Sequence, residues 1–317
     1  MVTLIISAAG LCYVLADSYA TLFFSMILGG TGITFLNVNM SKIIGGWYPP
    51  ERVGPIMGLI MAGNTVGMTL GTATTAMLPS IPTALWISGA ASVAVAVLWI
   101  LFVKEGPYIQ NAGGGSGESL LTSLKPALKS KNIWLVGLCL ACILGCNISL
   151  ASFLPTALQS RGISASMSGI IASIMTVGSF CGSFFGPTVI ARMPRMKPAL
   201  IGCAVLAALC AAFGWMAPPV FGGGDCIFWQ VCFISALIPT FMSFPMILPE
   251  IGPAYAGSAG GVITTLELLG AVIIPTYIIT PAAGSNFSLY FIMAGVSVAL
   301  MSVFAIFLPE LNKKEQR

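Results

Sequence analysis

A single carboxylate interrupts the run GVITTLELLGAVIIP, residues 261–275. The acid is Glu267, and its neighbours are apolar, small or hydroxylic. About fourteen residues into its apolar stretch, it stands roughly 21 Å along a helix rising 1.5 Å per residue, near the middle of a bilayer. An acid at that depth costs roughly 2.5–3.5 kcal/mol on insertion scales. Loss of water disfavours the charged form, so the neutral acid is the expected resting state. Such a group takes and releases a proton as its surroundings open to either side. A counter-charge for a cationic solute and a hydrogen bond between helices are its two other uses.

The remaining polar groups in apolar runs are amides. Asn37 and Asn39 lie in FLNVNM with Lys42 one turn on, Asn64 lies in AGNTVG, and Asn147 and Gln230 stand in later runs. Amides bind a small polar solute or join helices. Cys139, Cys142 and Cys146 share a helix face at i, i+3, i+7. They lack histidine partners and a shaping loop, and buried cysteine is usually an apolar packing residue. No metal and no cofactor are expected. The chain has no histidine, no loop nucleophile motif and no paired acids near a membrane face, so it does not read as an enzyme.

The elements that carry these groups follow from composition. Charged residues make up 7% of the chain and apolar ones 57%, with a mean hydropathy of +0.99. A soluble domain carries roughly a quarter charged residues, so this is an integral membrane protein. Runs long enough to cross a bilayer fall at about ten places: 2–16, 20–44, 53–77, 81–103, 132–157, 166–190, 197–217, 226–247, 252–280 and 285–308. None alternates polar and apolar residues as a barrel strand would. The expected fold is therefore an all-α, polytopic transmembrane helical bundle. No cleavable leader is visible, and the nine cysteines are scattered among apolar neighbours rather than framed as a disulfide scaffold.

Charge predicts the orientation. With alternating loops, every Lys and Arg except Arg161 falls on one side, which the positive-inside rule makes the cytoplasm. Both termini are then cytoplasmic, at the inner membrane. Trp86, Trp99, Trp134, Trp215 and Trp229 lie near expected helix ends, where an aromatic belt belongs. The longest polar stretch, 104–131, opens rich in Gly and Ser and ends basic and amphipathic. It divides the chain into a four-helix unit (1–103), a linker (104–131), a six-helix unit (132–312) and a basic tail (313–317).

Two loops repeat. PERVGPIMG (50–58) and PEIGPAYAG (249–257) each open a Gly-rich helix, and the same offset pairs Gly71 with Gly270. Two related, pseudo-symmetric helical units are the expected cause. Gly63, Gly67 and Gly71 form one four-residue ladder, and Gly178, Gly182 and Gly186 another. Each predicts a helix face that a second backbone approaches closely.

GGWYPPERVGPIMGLIMAGNTVG (45–67) resembles the loop between helices four and five of the major facilitator superfamily. Trp47, Tyr48, Pro49, Glu51, Arg52 and Gly54 carry the likeness, with Val53 inserted before the glycine. FLPTALQSRGISASMSGIIASI (153–174) resembles the exit of helix seven and the entry of helix eight. GPTVIARMPRMK (186–197) resembles the basic loop between helices eight and nine, without the family's acid near Ala191. The long stretch 104–131 is similar to the family's central loop. Within the family, the WYPPER stretch and AGNTVG are most similar to the nitrate/nitrite and cyanate porter branches. Nitrate porters hold their anion with arginines inside the membrane, and no run here carries a central Arg.

The resemblance implies twelve helices, so the first run here corresponds to helix three. An N-terminally incomplete chain is the expectation. It also implies that the helices carrying Asn37, Asn39 and Asn147 line the substrate cavity. It further implies that Glu51, Arg52, Arg192, Arg195 and Glu250 belong to the cytoplasmic gating loops. The sequence thus predicts a secondary active transporter moving a small polar solute by alternating access, with small inorganic or organic anions favoured. H⁺ coupling is expected through Glu267. The expected partners are that small solute, H⁺ and the lipid bilayer, but no nucleic acid, because the basic residues are few and juxtamembrane. The alternatives are a truncated, non-transporting membrane protein or sensor and, behind it, a membrane-embedded enzyme.

Overall fold

A computed structural model describes residues 18–77, 80–102, 120–216 and 224–310. The first expected run, 2–16, and the Gly/Ser-rich start of the linker lie outside these residues. The elements in order are α1 (Tyr19–Trp47), α2 (Pro50–Met77), α3 (Ile81–Phe102), α4 (Leu120–Lys129), α5 (Lys131–Ser160) and α6 (Ala165–Arg192). They continue with α7 (Met196–Gly214), α8 (Gly224–Met242), the short α9 (Phe244–Ile247) and α10 (Gly252–Ile273). A π-helical turn (Ile274–Ile279) leads into α11 (Thr280–Ala283) and then α12 (Phe287–Ile306). Nine helices among the described residues are long and apolar enough to cross a membrane.

Local chemistry sets the helix starts. Ser18 and Thr21 form a reciprocal capping box at α1. Ser130, Ser164 and Asn286 each accept a backbone N–H at the start of α5, α6 and α12. Gly252, at φ +60°, turns the chain into α10, a conformation that favours glycine. The end of the 104–131 stretch is helical: α4 carries Lys125 and Lys129 and packs on α10 and α5.

Packing divides unevenly. In its most hydrophobic 18-residue window α5 is 72% buried, against 11% for α1 and α3. The main core runs through α5 to α12 and includes Leu140, Ile143, Ile234, Phe241, Ile263 and Met301. There α6 lies along α8, α10 along α5, and α12 against α7 and α5. The glycine ladder of α6 explains the first pair. A Cβ at Gly178 would stand 2.7 Å from the Phe228 carbonyl oxygen, and Gly182 and Gly186 press as closely on Cys232 and Ala236. A second ladder, spaced by four, joins α10 to α5. Gly137 meets Leu266, Ala141 meets Gly270, and Gly145 meets Ile274. The other expected ladder behaves differently: a Cβ at Gly63, Gly67 or Gly71 would meet no atom of the described residues within 4 Å.

Candidate functional site

The helix ends that carry the basic loops, here the basic end, are where α1 and α2 meet the α5–α12 group. Ile44, Val53, Met57, Met246 and Ala256 form a small apolar cluster there. A Cβ at Gly58 would stand 2.8 Å from Pro187 Cγ and press on the Ser183 carbonyl oxygen, so α2 lies hard against α6. A Cβ at Gly260 would stand 2.5 Å from the Val38 carbonyl oxygen, so α10 lies as hard against α1. Gly58 and Gly257, the final residues of the two repeated loops, do equivalent jobs, since a Cβ at Gly257 would stand 3.2 Å from Asn39 Oδ1 of α1. Each sets its helix against the opposite group.

Glu267 stands on α10 about two turns beyond Gly260. It is 7% exposed and is the only charged side chain buried among the described residues. At 3.6 residues per turn it falls between two strips of α10. One strip (Leu266, Gly270, Ile274) lies on α5, and the other (Gly257, Gly260, Gly261) faces α1. Glu267 makes no hydrogen bond or ion pair with a described residue. Thr264, three residues earlier on the same side of the helix, is buried with a hydroxyl that also has no partner. Most buried polar groups in proteins are paired. Glu267 and Thr264 thus stand side by side on α10 with polar atoms that no described residue pairs.

The amides divide. Asn39 donates from Nδ2 to the Phe35 carbonyl of its own helix at 2.9 Å, while its Oδ1 lies beside Gly257 on α10. It stands in the contact between the groups. Asn37 and Asn147 are half-buried and Asn64 is exposed. Gln230 is elsewhere: it is buried inside the α5–α12 group, donates to Cys146 Sγ at 3.7 Å and lines a cavity with Leu150, Trp215 and Phe291. Cys139 donates to the Met301 carbonyl oxygen, and Ser297 donates to the Cys142 carbonyl oxygen. Cys139 and Cys142 thus serve the contact of α5 with α12, and Cys146 its contact with α8. Among the described residues no group of three His, Cys, Asp or Glu is placed to hold a metal ion.

At the basic loops, Glu51, Arg52, Arg192 and Arg195 are exposed. Glu250 accepts from Asn132 Nδ2 at 3.1 Å and from Ser130 Oγ, so it ties the start of α5 to the turn before α10. Sequence reasoning missed Glu310, which accepts from the Met196 and Lys197 backbone N–H groups at 2.7 and 3.3 Å and caps α7. It also missed the α5 ladder, although its Gly-x₃-Ala-x₃-Gly spacing was present; the central alanine hid it.

Comparison with known proteins places this arrangement. The cyanate transport protein CynX of Escherichia coli (strain K12) is 26% identical over 213 residues, 67% of this chain. That match spans 54% of the CynX length, about half. Among solved structures, the E. coli fucose:proton symporter FucP aligns over 96% of this chain and 82% of its own, with a TM-score of 0.76 and 17% identity. The proton:xylose symporter XylE, bound to 6-bromo-6-deoxy-D-glucose, aligns over 98% and 79%, with a TM-score of 0.76 and 14% identity. The human organic anion transporter MFSD10 aligns over 96% and 75%, with a TM-score of 0.72 and 17% identity. These likenesses establish the fold. The profile of the Major Facilitator Superfamily matches residues 1–275, most of the chain, and the protein belongs to that family.

Proposed function

We propose that this protein is a secondary active transporter that moves a small polar solute across the cytoplasmic membrane by alternating access, coupled to H⁺ through Glu267. The observation that carries the reading is the buried Glu267 without a protein partner, beside the unpaired Thr264 hydroxyl, where the α5 and α1 faces of α10 meet. Under the positive-inside reading the basic end is cytoplasmic, and the contact at Gly58, Met57 and Met246 is a closed cytoplasmic gate. The two units, 1–103 and 132–312, then rock about the plane of Glu267. The amides Asn37, Asn39 and Asn147 line the path, and Asn64 stands at its open side.

The solute class favoured is a small anion, from the likeness to a cyanate transport protein. An anion and an ionised Glu267 repel each other strongly where water is scarce. The anion therefore enters when Glu267 is protonated, and release of the proton on the other side expels it. That repulsion is the coupling, and no enzymatic step is involved. The test is uptake of labelled cyanate into proteoliposomes under an imposed pH gradient. Glu267→Gln, permanently neutral, abolishes gradient-driven accumulation and spares exchange of solute across the membrane. Uphill uptake unchanged in that variant refutes the proton role.

A further inference from the structure

Behind the gate helix α6 lies a groove of about 410 Å³ between α6, α7 and α8. Phe185, Val189, Met193, Cys203, Trp229 and Phe233 are among its walls, and Phe185, Val189 and Trp229 are half exposed, so it opens outward. Its α6 wall runs over residues 181–193, roughly 18 Å at 1.5 Å per residue. That is a little over half of the roughly 30 Å hydrocarbon layer, the depth of one leaflet. The groove ends at Met193, between the exposed Arg192 and Arg195, with Lys197 in the first turn of α7. The acid bonded at this rim is Glu310, already committed to the Met196 and Lys197 backbone. Three cations against one anion leave that end positive. An apolar slot one leaflet deep, with a cationic rim at the headgroup level, matches a lipid of opposite charge.

We propose that this groove seats one acyl chain of an anionic phospholipid whose phosphate lies against Arg192 and Arg195. The bound lipid braces α6 from behind. On its other side, α6 presents Ser183 and Pro187 to Gly58 of α2, so the lipid supports the closed contact at the basic end.

The full chain, purified in mild detergent, is offered equal amounts of dioleoyl phosphatidylglycerol and dioleoyl phosphatidylcholine, and retained lipid is counted by native mass spectrometry. The expected result is a preference of about tenfold for phosphatidylglycerol. The double variant R192Q/R195Q brings that preference to near unity. Val189→Trp, a change at an exposed wall of the groove, lowers retention of both lipids. Lys42→Gln, at the same end but away from the groove, leaves the preference intact. Equal retention of both lipids by the unaltered protein overturns the proposal. So does a preference that survives R192Q/R195Q, or one that K42Q removes equally. A dimer of the chain that Val189→Trp dissociates also overturns it, because the groove would then be a face for a second copy.

Discussion

Gly270→Ala adds one carbon at the tightest point between α10 and α5. The new Cβ would stand 2.5 Å from both the Cβ and the carbonyl oxygen of Ala141. Favourable carbon contacts lie at about 3.5–4.0 Å, so the helices must part by roughly 1 Å. Backbone cannot rotate out of the way as the tip of a long side chain can. The neighbouring contacts, Gly137 with Leu266 and Gly145 with Ile274, belong to the same rigid pair and loosen with it. A gap of that size forfeits about a quarter to a half of each contact's attraction. Alanine favours helix over glycine by about 1 kcal/mol, and overpacking costs about 1–3 kcal/mol. The net expectation is a loss of up to about 2 kcal/mol.

Gly67→Ala is the matched control. It carries the same helix gain, and no described atom lies within 4 Å of the new carbon. The assay is detergent-solubilised protein heated in steps and quantified by size-exclusion chromatography. Gly270→Ala melts several degrees lower, and Gly67→Ala melts at or slightly above the unaltered protein. Glu267 stands three residues before Gly270, so uptake falls in the first variant and not in the second. Equal melting of the two variants refutes the close approach of α10 to α5.

The proposed gate and the α7 cap give two further expectations. Gly58→Leu forces α2 away from Ser183 and Pro187. In a Val53→Cys background, where residue 53 is fully buried in the basic-end cluster, it speeds labelling by a water-soluble maleimide roughly tenfold; unchanged protection means this contact is not the gate. Glu310→Gln weakens the anionic cap on the Met196 and Lys197 N–H groups by about 0.3–1 kcal/mol, seen as a melting point about 1–3 °C lower, and an unchanged melting point removes the cap from the account.

Much of the fold was legible because a bilayer leaves few choices. A backbone in hydrocarbon must satisfy its own hydrogen bonds, so long apolar runs become helices. The span 132–157 became α5 with its ends within a few residues, because Ser130 caps it. Gly178, Gly182 and Gly186 were legible as a packing face for the same local reason: glycine every fourth residue makes a smooth strip wherever the partner comes from. Gly63, Gly67 and Gly71 show the limit of that rule. The spacing names a face, while the neighbour is set by where other helices stand, and no described helix stands there.

What the sequence by itself determined is the class of molecule, most of its spans and the singular acid in their midst, because hydropathy and charge are local properties that the membrane reads directly. The tertiary structure alone decided which polar groups meet. It sent Gln230 to a cavity inside the α5–α12 group and set Asn39 of α1 against Gly257 of that same group. It paired Gly58 with Ser183 and Pro187, and it turned Glu267 toward the seam between the strips facing α5 and α1. Those pairings depend on the rotation of each helix about its axis and on partners far away in the chain. Only the packing of whole helices settles either.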